Sequence, residues 1–255
     1  MATQALFYER VTPVSAQRHG DWCVETQPNY EFARQVNSVP LASVEIPHAA
    51  REYTIVFSGT AEEVQPIVLL GVGAQENLYV TQDGGWDATY IPAFVRRYPF
   101  VFSKSAEGDT FTLCIDESWD GCNQQASGQP LFDEKGERST YMEKMIGFVT
   151  EYQRQFQRTQ QYCNKLQELE LLEPNQLNFT LAGGEQQTLG GFMIVSRDKL
   201  KALPPEKLAE LAQSDELELT YTHLQSVNNM SLVLKRVAAR QGKSTNDETA
   251  EAPVA

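Results

Sequence analysis

The sequence has no long apolar run. Its longest, Ile67-Val68-Leu69-Leu70-Gly71-Val72-Gly73-Ala74, is strand-sized and far short of the roughly 18–20 residues that cross a bilayer, so no membrane span is expected. Basic residues are scarce: 21 lysines and arginines face 34 aspartates and glutamates, a net charge of -13. Such a surface repels phosphate backbones, and neither Arg96-Arg97 nor the run Lys235-Arg236…Arg240…Lys243 makes a basic patch large enough to bind nucleic acid. The four cysteines (Cys23, Cys114, Cys122, Cys163) include no Cys-x-x-Cys pair, and only three histidines (His19, His48, His223) accompany them. Zinc needs four converging ligands, usually in close pairs, so no metal and no cofactor are expected. There is no Gly-x-Ser-x-Gly elbow and no phosphate-binding loop. The first ten residues lack a basic stretch followed by an apolar one, which leaves no cleavable secretory signal to read there. A cytoplasmic protein with reduced, structural thiols is the expectation.

What is present is a core-forming composition, with 41% hydrophobic and 10% aromatic residues in 255, enough for one large domain. Residues 1–20 read as an irregular arm, 21–241 as a single domain and 242–255 as a polar, acidic, unfolded tail. Trp22–Glu25, Tyr53–Phe57, Ile67–Val72, Asn77–Val80 and Phe111–Ile115 are rich in β-branched and aromatic residues between proline and glycine punctuation, which predicts strands. Pro92 through Tyr98 reads as a connection or short helix, and 116–136 as a loop. The period then changes: Met142, Met145, Ile146, Val149, Tyr152, Phe156, Cys163, Leu166 and Leu169 mark one face of a long amphipathic helix over 139–172, closed by Pro174. Leu177–Leu181 and Gly191–Val195, about Gly183-Gly184, suggest a hairpin. Ser196 caps a short helix, Pro204-Pro205 opens another over 206–213, and Ser214 or Asp215 caps a last one with the stripe Leu217, Tyr221, Leu224, Val227 or Asn228, Leu234 and Val237. The fold class is α+β, a β-rich first half packed with a helix-rich second half.

Candidate chemistry is thin. Gly71-x-Gly73 starts like a dinucleotide loop, but Glu76 stands at the third glycine and a strand-like segment follows, so a hairpin turn is the better account. Asp116-x-Ser118-x-Asp120-Gly121 starts like a calcium loop, but Ser127 stands where a bidentate glutamate is needed; a polar surface loop is expected. An enzyme would need a polar cluster around Asp116, His223 or Cys114. The densest stretch is Gly85-Trp-Asp-Ala-Thr-Tyr-Ile-Pro-Ala-Phe-Val-Arg-Arg-Tyr-Pro-Phe100. Its aromatics and arginines read first as core with an internal salt-bridge network. The functional alternative makes Trp86 and Tyr90 a stacking wall, with Arg96 or Arg97 receiving a carboxylate in a bidentate fork. Candidate ligand-binding residues are therefore Trp86, Tyr90, Arg96, Arg97, Asp116 and His223.

This block resembles the SapC family of bacterial proteins, as do Asn37-Ser-Val-Pro-Leu41, Tyr53-Thr-Ile-Val-Phe57, Glu76-Asn-Leu78, Cys114-Ile-Asp116, Gly128-Gln-Pro-Leu-Phe132, Leu189-Gly-Gly-Phe192 and Tyr221-Thr-His-Leu-Gln-Ser226. The resemblance covers nearly the whole folded chain. It implies a link to paracrystalline surface layers, and a non-enzymatic, surface-layer-associated or accessory interaction protein with a protein partner or small ligand. Cell-surface residence would then need a signal-less secretion route. The family's gene neighbours imply an alternative, a cytosolic small-molecule or peptide-binding accessory to a flavin-dependent halogenase or cupin-type oxygenase. No catalytic residues are established for the family, so the resemblance carries none over.

Overall fold

The computed structural model describes residues 6–26, 29–60, 63–104, 111–180 and 186–250. The first half supplies strands β1 (Val11–Pro13), β2 (Cys23–Val24), β3 (Ser38–Pro40), β4 (Ile55–Gly59), β5 (Val64–Leu69), β6 (Phe100–Lys104), β7 (Phe111–Asp116), β8 (Cys122–Asn123) and β9 (Gln129–Pro130), with one-turn helices α1 (Ala16–His19), α2 (Ile46–Ala49) and α3 (Ala93–Arg96). The second half supplies the long helix α4 (Thr140–Glu168), strands β10 (Leu172–Thr180) and β11 (Gln186–Val195), and helices α5 (Arg197–Lys201), α6 (Pro205–Gln213), α7 (Glu216–Ser226) and α8 (Met230–Ala250). The class is α+β.

Three antiparallel sheets result, in the orders β1-β7-β6, β10-β11-β4-β5-β3 and β8-β2-β9. The five-stranded sheet draws β3, β4 and β5 from the first half and the hairpin β10–β11 from the second, which joins the two halves into one framework. Both of its edge strands carry a proline, Pro40 and Pro174. A sheet tolerates proline at an edge, where no neighbour needs the missing N–H. Pro174 therefore does not close the long helix, as the sequence suggests; it pairs with Met193 inside the edge strand. The helix stops earlier. Glu170 sits at φ 53, and the amides of Glu170 and Leu171 bond back to the carbonyls of Gln167 and Leu166. That is a Schellman closure with glutamate where glycine is usual.

Two cores lie on one helix. Tyr152, Tyr162, Cys163 and Leu166 of α4 join the larger core beneath the five-stranded sheet. Met142 and Val149 join a smaller one with Val24, Phe100, Ile115, Leu131 and Phe132.

Several expectations need correction. The arm over 1–20 is part of the fold from Val11 on: β1 pairs with β7, and His19 is fully buried. Asn77–Val80 is not a strand; its only ladder contact is a bridge from Val80 to Trp86. The Gly71–Gly73 segment does turn back on itself, but into a loop rather than a second strand. It runs beside the following loop, with Leu78 N–H bonded to Leu70 O at 2.8 Å. A Cβ on Gly71 would come within 2.1 Å of the Glu76 carbonyl oxygen, so this close backbone approach needs glycine. The backbone is helical to Ala250, beyond Gln241, where an unfolded tail is expected. The turn at Gly183-Gly184 and residues 251–255 lie outside the described residues.

Candidate functional site

The aromatic block from Trp86 to Phe100 becomes a partition held from behind by glutamates. Glu45, buried, accepts from the Tyr90 hydroxyl at 2.6 Å, the Ala93 amide at 2.7 Å and the Ala42 amide at 2.9 Å. Glu52 accepts from the amides of Thr89 and Tyr90, each at 2.9 Å. Burial works against the charge of Glu52, but those two amides, with the Thr89 side chain and the Arg236 charge, together hold the carboxyl below its usual range. Trp86 donates its indole N–H to the Tyr53 hydroxyl at 2.7 Å, and Tyr53 donates in turn to Tyr90 O at 2.5 Å. The shape of the block is thus set by a chain of part-buried bonds running from Trp86 back to Glu45.

The six predicted site residues fall into two groups. Arg97, Asp116 and His223 are interior. Arg97 is 1% exposed, and its guanidinium lies over the rings of Phe94, Tyr152 and Tyr8 at 4.3, 4.7 and 5.7 Å. It is part of the packing and receives no carboxylate ligand from solvent. Asp116 has no exposed surface and accepts from the amides of Glu9, Arg10 and Ser118 at 2.8, 3.0 and 3.0 Å, and from the Ser118 hydroxyl at 2.6 Å. Burial opposes its charge, yet the Ser118 hydroxyl and these amides together hold its carboxyl below the usual range. Its acceptor capacity is spent on the backbone, and that is why the calcium-loop reading fails at its first ligand. His223 is fully buried on α7, and its Nε2 accepts from Val195 N–H at 3.2 Å. The proton of the neutral ring therefore sits on Nδ1, and burial pushes the pKa down to about 4.

These interior positions were expected to seed any catalytic cluster together with Cys114, itself 2% exposed with its thiol pushed up by burial. They do not meet. Asp116 and Cys114 lie on β7 of one sheet, whereas His223 packs edge-on against Phe57 in the larger core. Besides Glu45, another buried acid went unread in the sequence. Glu117 binds Arg18 through two bonds of 2.5 and 2.8 Å and His19 Nε2 at 3.1 Å, and it lies 3.4 Å from Arg10. Arg18 chiefly, with His19, draws its pKa down to about 2. This cluster ties α1 to the end of β7.

The accessible group is Trp86, Tyr90 and Arg96, on the two outer faces of the partition. On one side Trp86, Asp87 and Thr89 face α8 across an open cleft of about 770 Å³ whose other walls include Arg51, Lys235 and Arg236. Arg236 is already paired with Asp87 and stacked on Tyr79 at 4.2 Å. Arg51 and Lys235 are exposed and have no acidic partner among the described residues. Tyr90 stands just behind this wall, its ring stacked on the exposed His48 at 5.7 Å. On the other side Arg96 and Tyr98 face a small pocket of about 220 Å³. Arg96 donates to Ile91 O at 2.9 Å and lies 5.2 Å over the Phe148 ring. Trp86 lines this cleft beside Arg51 and Lys235 rather than Arg96 or Arg97; those two cations come from distant segments and carried no signal of convergence in the sequence.

The described residues form an α+β framework whose dense aromatic block borders surface cavities, with Glu45, Asp116, Glu117, His19 and His223 buried. The SapC family model matches residues 14–232, and the chain belongs to the SapC family. No curated protein and no solved structure matches it. Among the described residues no helix is long and apolar enough to cross a membrane.

Proposed function

We propose that this SapC-family chain is a non-catalytic accessory binding protein that holds the carboxylate of a small molecule or peptide end in the Trp86 cleft. The observation that carries the reading is Trp86 itself, fixed by its bond to Tyr53 and sharing a cleft with two exposed cations, Arg51 and Lys235, that have no acidic partner among the described residues. A flat ring provides a stacking face, and a guanidinium provides a two-pronged donor for a carboxylate. Asp116, His223 and Cys114 line neither the cleft nor the pocket beyond the partition. In such a protein, binding energy would serve to deliver or organise a ligand rather than to transform it.

The test is calorimetric titration with short peptides of one sequence, with free or amidated C-termini. The free carboxylate is expected to bind, and Trp86→Leu or the double change Arg51→Ala, Lys235→Ala should weaken it at least about tenfold, near 1.4 kcal/mol. Equal affinity of the free and amidated forms would sink the reading. The family carries two settings for such a protein, a surface layer or the cytosol beside a halogenase or oxygenase. Protease treatment of intact host cells separates them, because only a surface-exposed chain is cleaved.

A further inference from the structure

The larger cavity beyond the partition has a different chemistry. It measures about 780 Å³ and runs between the N-terminal segment, the Asn29–Val36 stretch and the Ser118–Gly121 turn. Its walls include four aromatic rings, Phe7, Phe32, Tyr98 and Trp119, and the adjoining pocket of about 220 Å³ shares Phe32, Tyr98 and Trp119. Phe32 stacks on Tyr98 with centroids 4.0 Å apart, and Trp119 stands at 70° to Tyr98 at 5.6 Å. Two flat surfaces meeting at a steep angle make a corner for a planar or rounded cation. The corner is fixed in place: the Trp119 ring lies so close over Gly121 that a Cβ there would come within 2.5 Å of it.

The charge on the walls is of one sign. Glu9, Glu25, Glu31, Asp83 and Asp120 line the cavity, and no lysine or arginine does among the described residues. Glu31 is taken by Arg34, and Asp83 accepts from the Thr81 hydroxyl. Glu9, Glu25 and Asp120 are exposed and have no basic partner among the described residues. Arg34 is spent on Glu31, and Arg96, on the wall of the smaller pocket, is engaged with Ile91 O.

We propose that this groove binds an arginine side chain presented by an extended peptide segment of a partner. A guanidinium stacks on aromatic faces and offers paired N–H donors to carboxylates, so it uses both features of the wall, whereas an ammonium uses mainly the charge. The volume exceeds that of one guanidinium, and the three carboxylates without basic partners come from separate stretches of chain, which suits a segment lying along the groove. Arginine enters the corner between Tyr98 and Trp119, and Asp120 and Glu25 receive its donors.

The probe is a five-residue peptide, acetylated and amidated, with alternating alanine and arginine; a lysine version and agmatine serve as comparisons. The amidated probe has no carboxylate for the Trp86 cleft, so its binding is independent of the function proposed above. In titration calorimetry the arginine peptide is expected to bind at least about fivefold more tightly than the lysine peptide. Trp119→Leu, or Asp120→Asn with Glu25→Gln, should weaken it about tenfold with the melting temperature held. Gly121→Ala, which must displace the indole, should weaken it as well. Equal binding of arginine and lysine peptides, or no response to these substitutions, overturns the assignment. Agmatine binding as tightly as the peptide overturns the peptide and leaves a small free guanidinium compound as the ligand.

Discussion

His223 shows how one buried group sets a whole pH response. Its ring is neutral in the fold, with a pKa pushed from 6.5 to about 4 by burial, and in the unfolded chain it titrates near its ordinary value. Above pH 6.5 both states are neutral and the residue adds no pH dependence. As pH falls from 6.5 towards 4 only the unfolded chain takes up the proton, so stability is lost across that window, by at most about 3 kcal/mol. Denaturant unfolding measured at half-unit steps should show this slope, and His223→Gln should flatten it. A slope unchanged in the variant would mean that another group carries it. The loss below pH 4.5 has a separate source in Glu117, whose pKa of about 2 makes it the later acid to protonate. Neither role was legible in the sequence. A lone histidine and one acid among 34 look alike whether they are ligands or interior residues, and only the Val195 amide and the Arg18 guanidinium decide it.

Among the elements, α4 was the most legible, because its apolar residues repeat at helical spacing and most of them face the cores. Its N-cap is Ser139, which accepts from Met142 N–H at 3.1 Å. Ser139→Ala is expected to cost about 1 kcal/mol, roughly 2–4 °C in melting temperature for a chain of this size. At the other end Glu170→Gly should stabilise by a similar amount, since glycine adopts the left-handed conformation without penalty. Thermal melts of the two variants should therefore shift in opposite directions. The last helices were misread for a physical reason. Their inward face is Thr220, His223, Ser226, Met230, Val233 and Val237; of the expected stripe only Val237 lies there, while Leu217, Tyr221, Leu224 and Leu234 lie at its half-buried margins. Polar groups occupy the interior there because each has a partner: Thr220 meets Tyr162 at 3.0 Å, and Ser226 receives the Ile55 amide at 3.2 Å. Asp215 is not the cap it resembles. It sits at φ 61 and makes no capping bond.

For the whole molecule, the fold class and the family were readable because they rest on periodicity and on a specific aromatic block. The cavities were not, because each is assembled from segments far apart in sequence. The C-terminal boundary illustrates the difference. Arg240 donates to Asn77 O at 3.1 Å and Val80 O at 3.2 Å, clamping the loop that precedes Trp86. Truncation after Gln241 keeps this clamp and should move the melting temperature by less than about 2 °C, whereas truncation after Val237 removes it and should cost several degrees. A large loss from the longer truncation product would place essential contacts in the final residues. The N-terminal segment has a consequence for how the protein is made. The amides of Glu9 and Arg10 find their acceptor in Asp116, up to 107 residues later. At a synthesis rate of 5–20 residues per second, about 5 to 20 seconds pass between the ribosome's adding the first and adding the last. Glu9 and Arg10 thus wait for their partner during synthesis, and a chaperone that reads the neighbouring Phe7 and Tyr8 has that interval in which to bind.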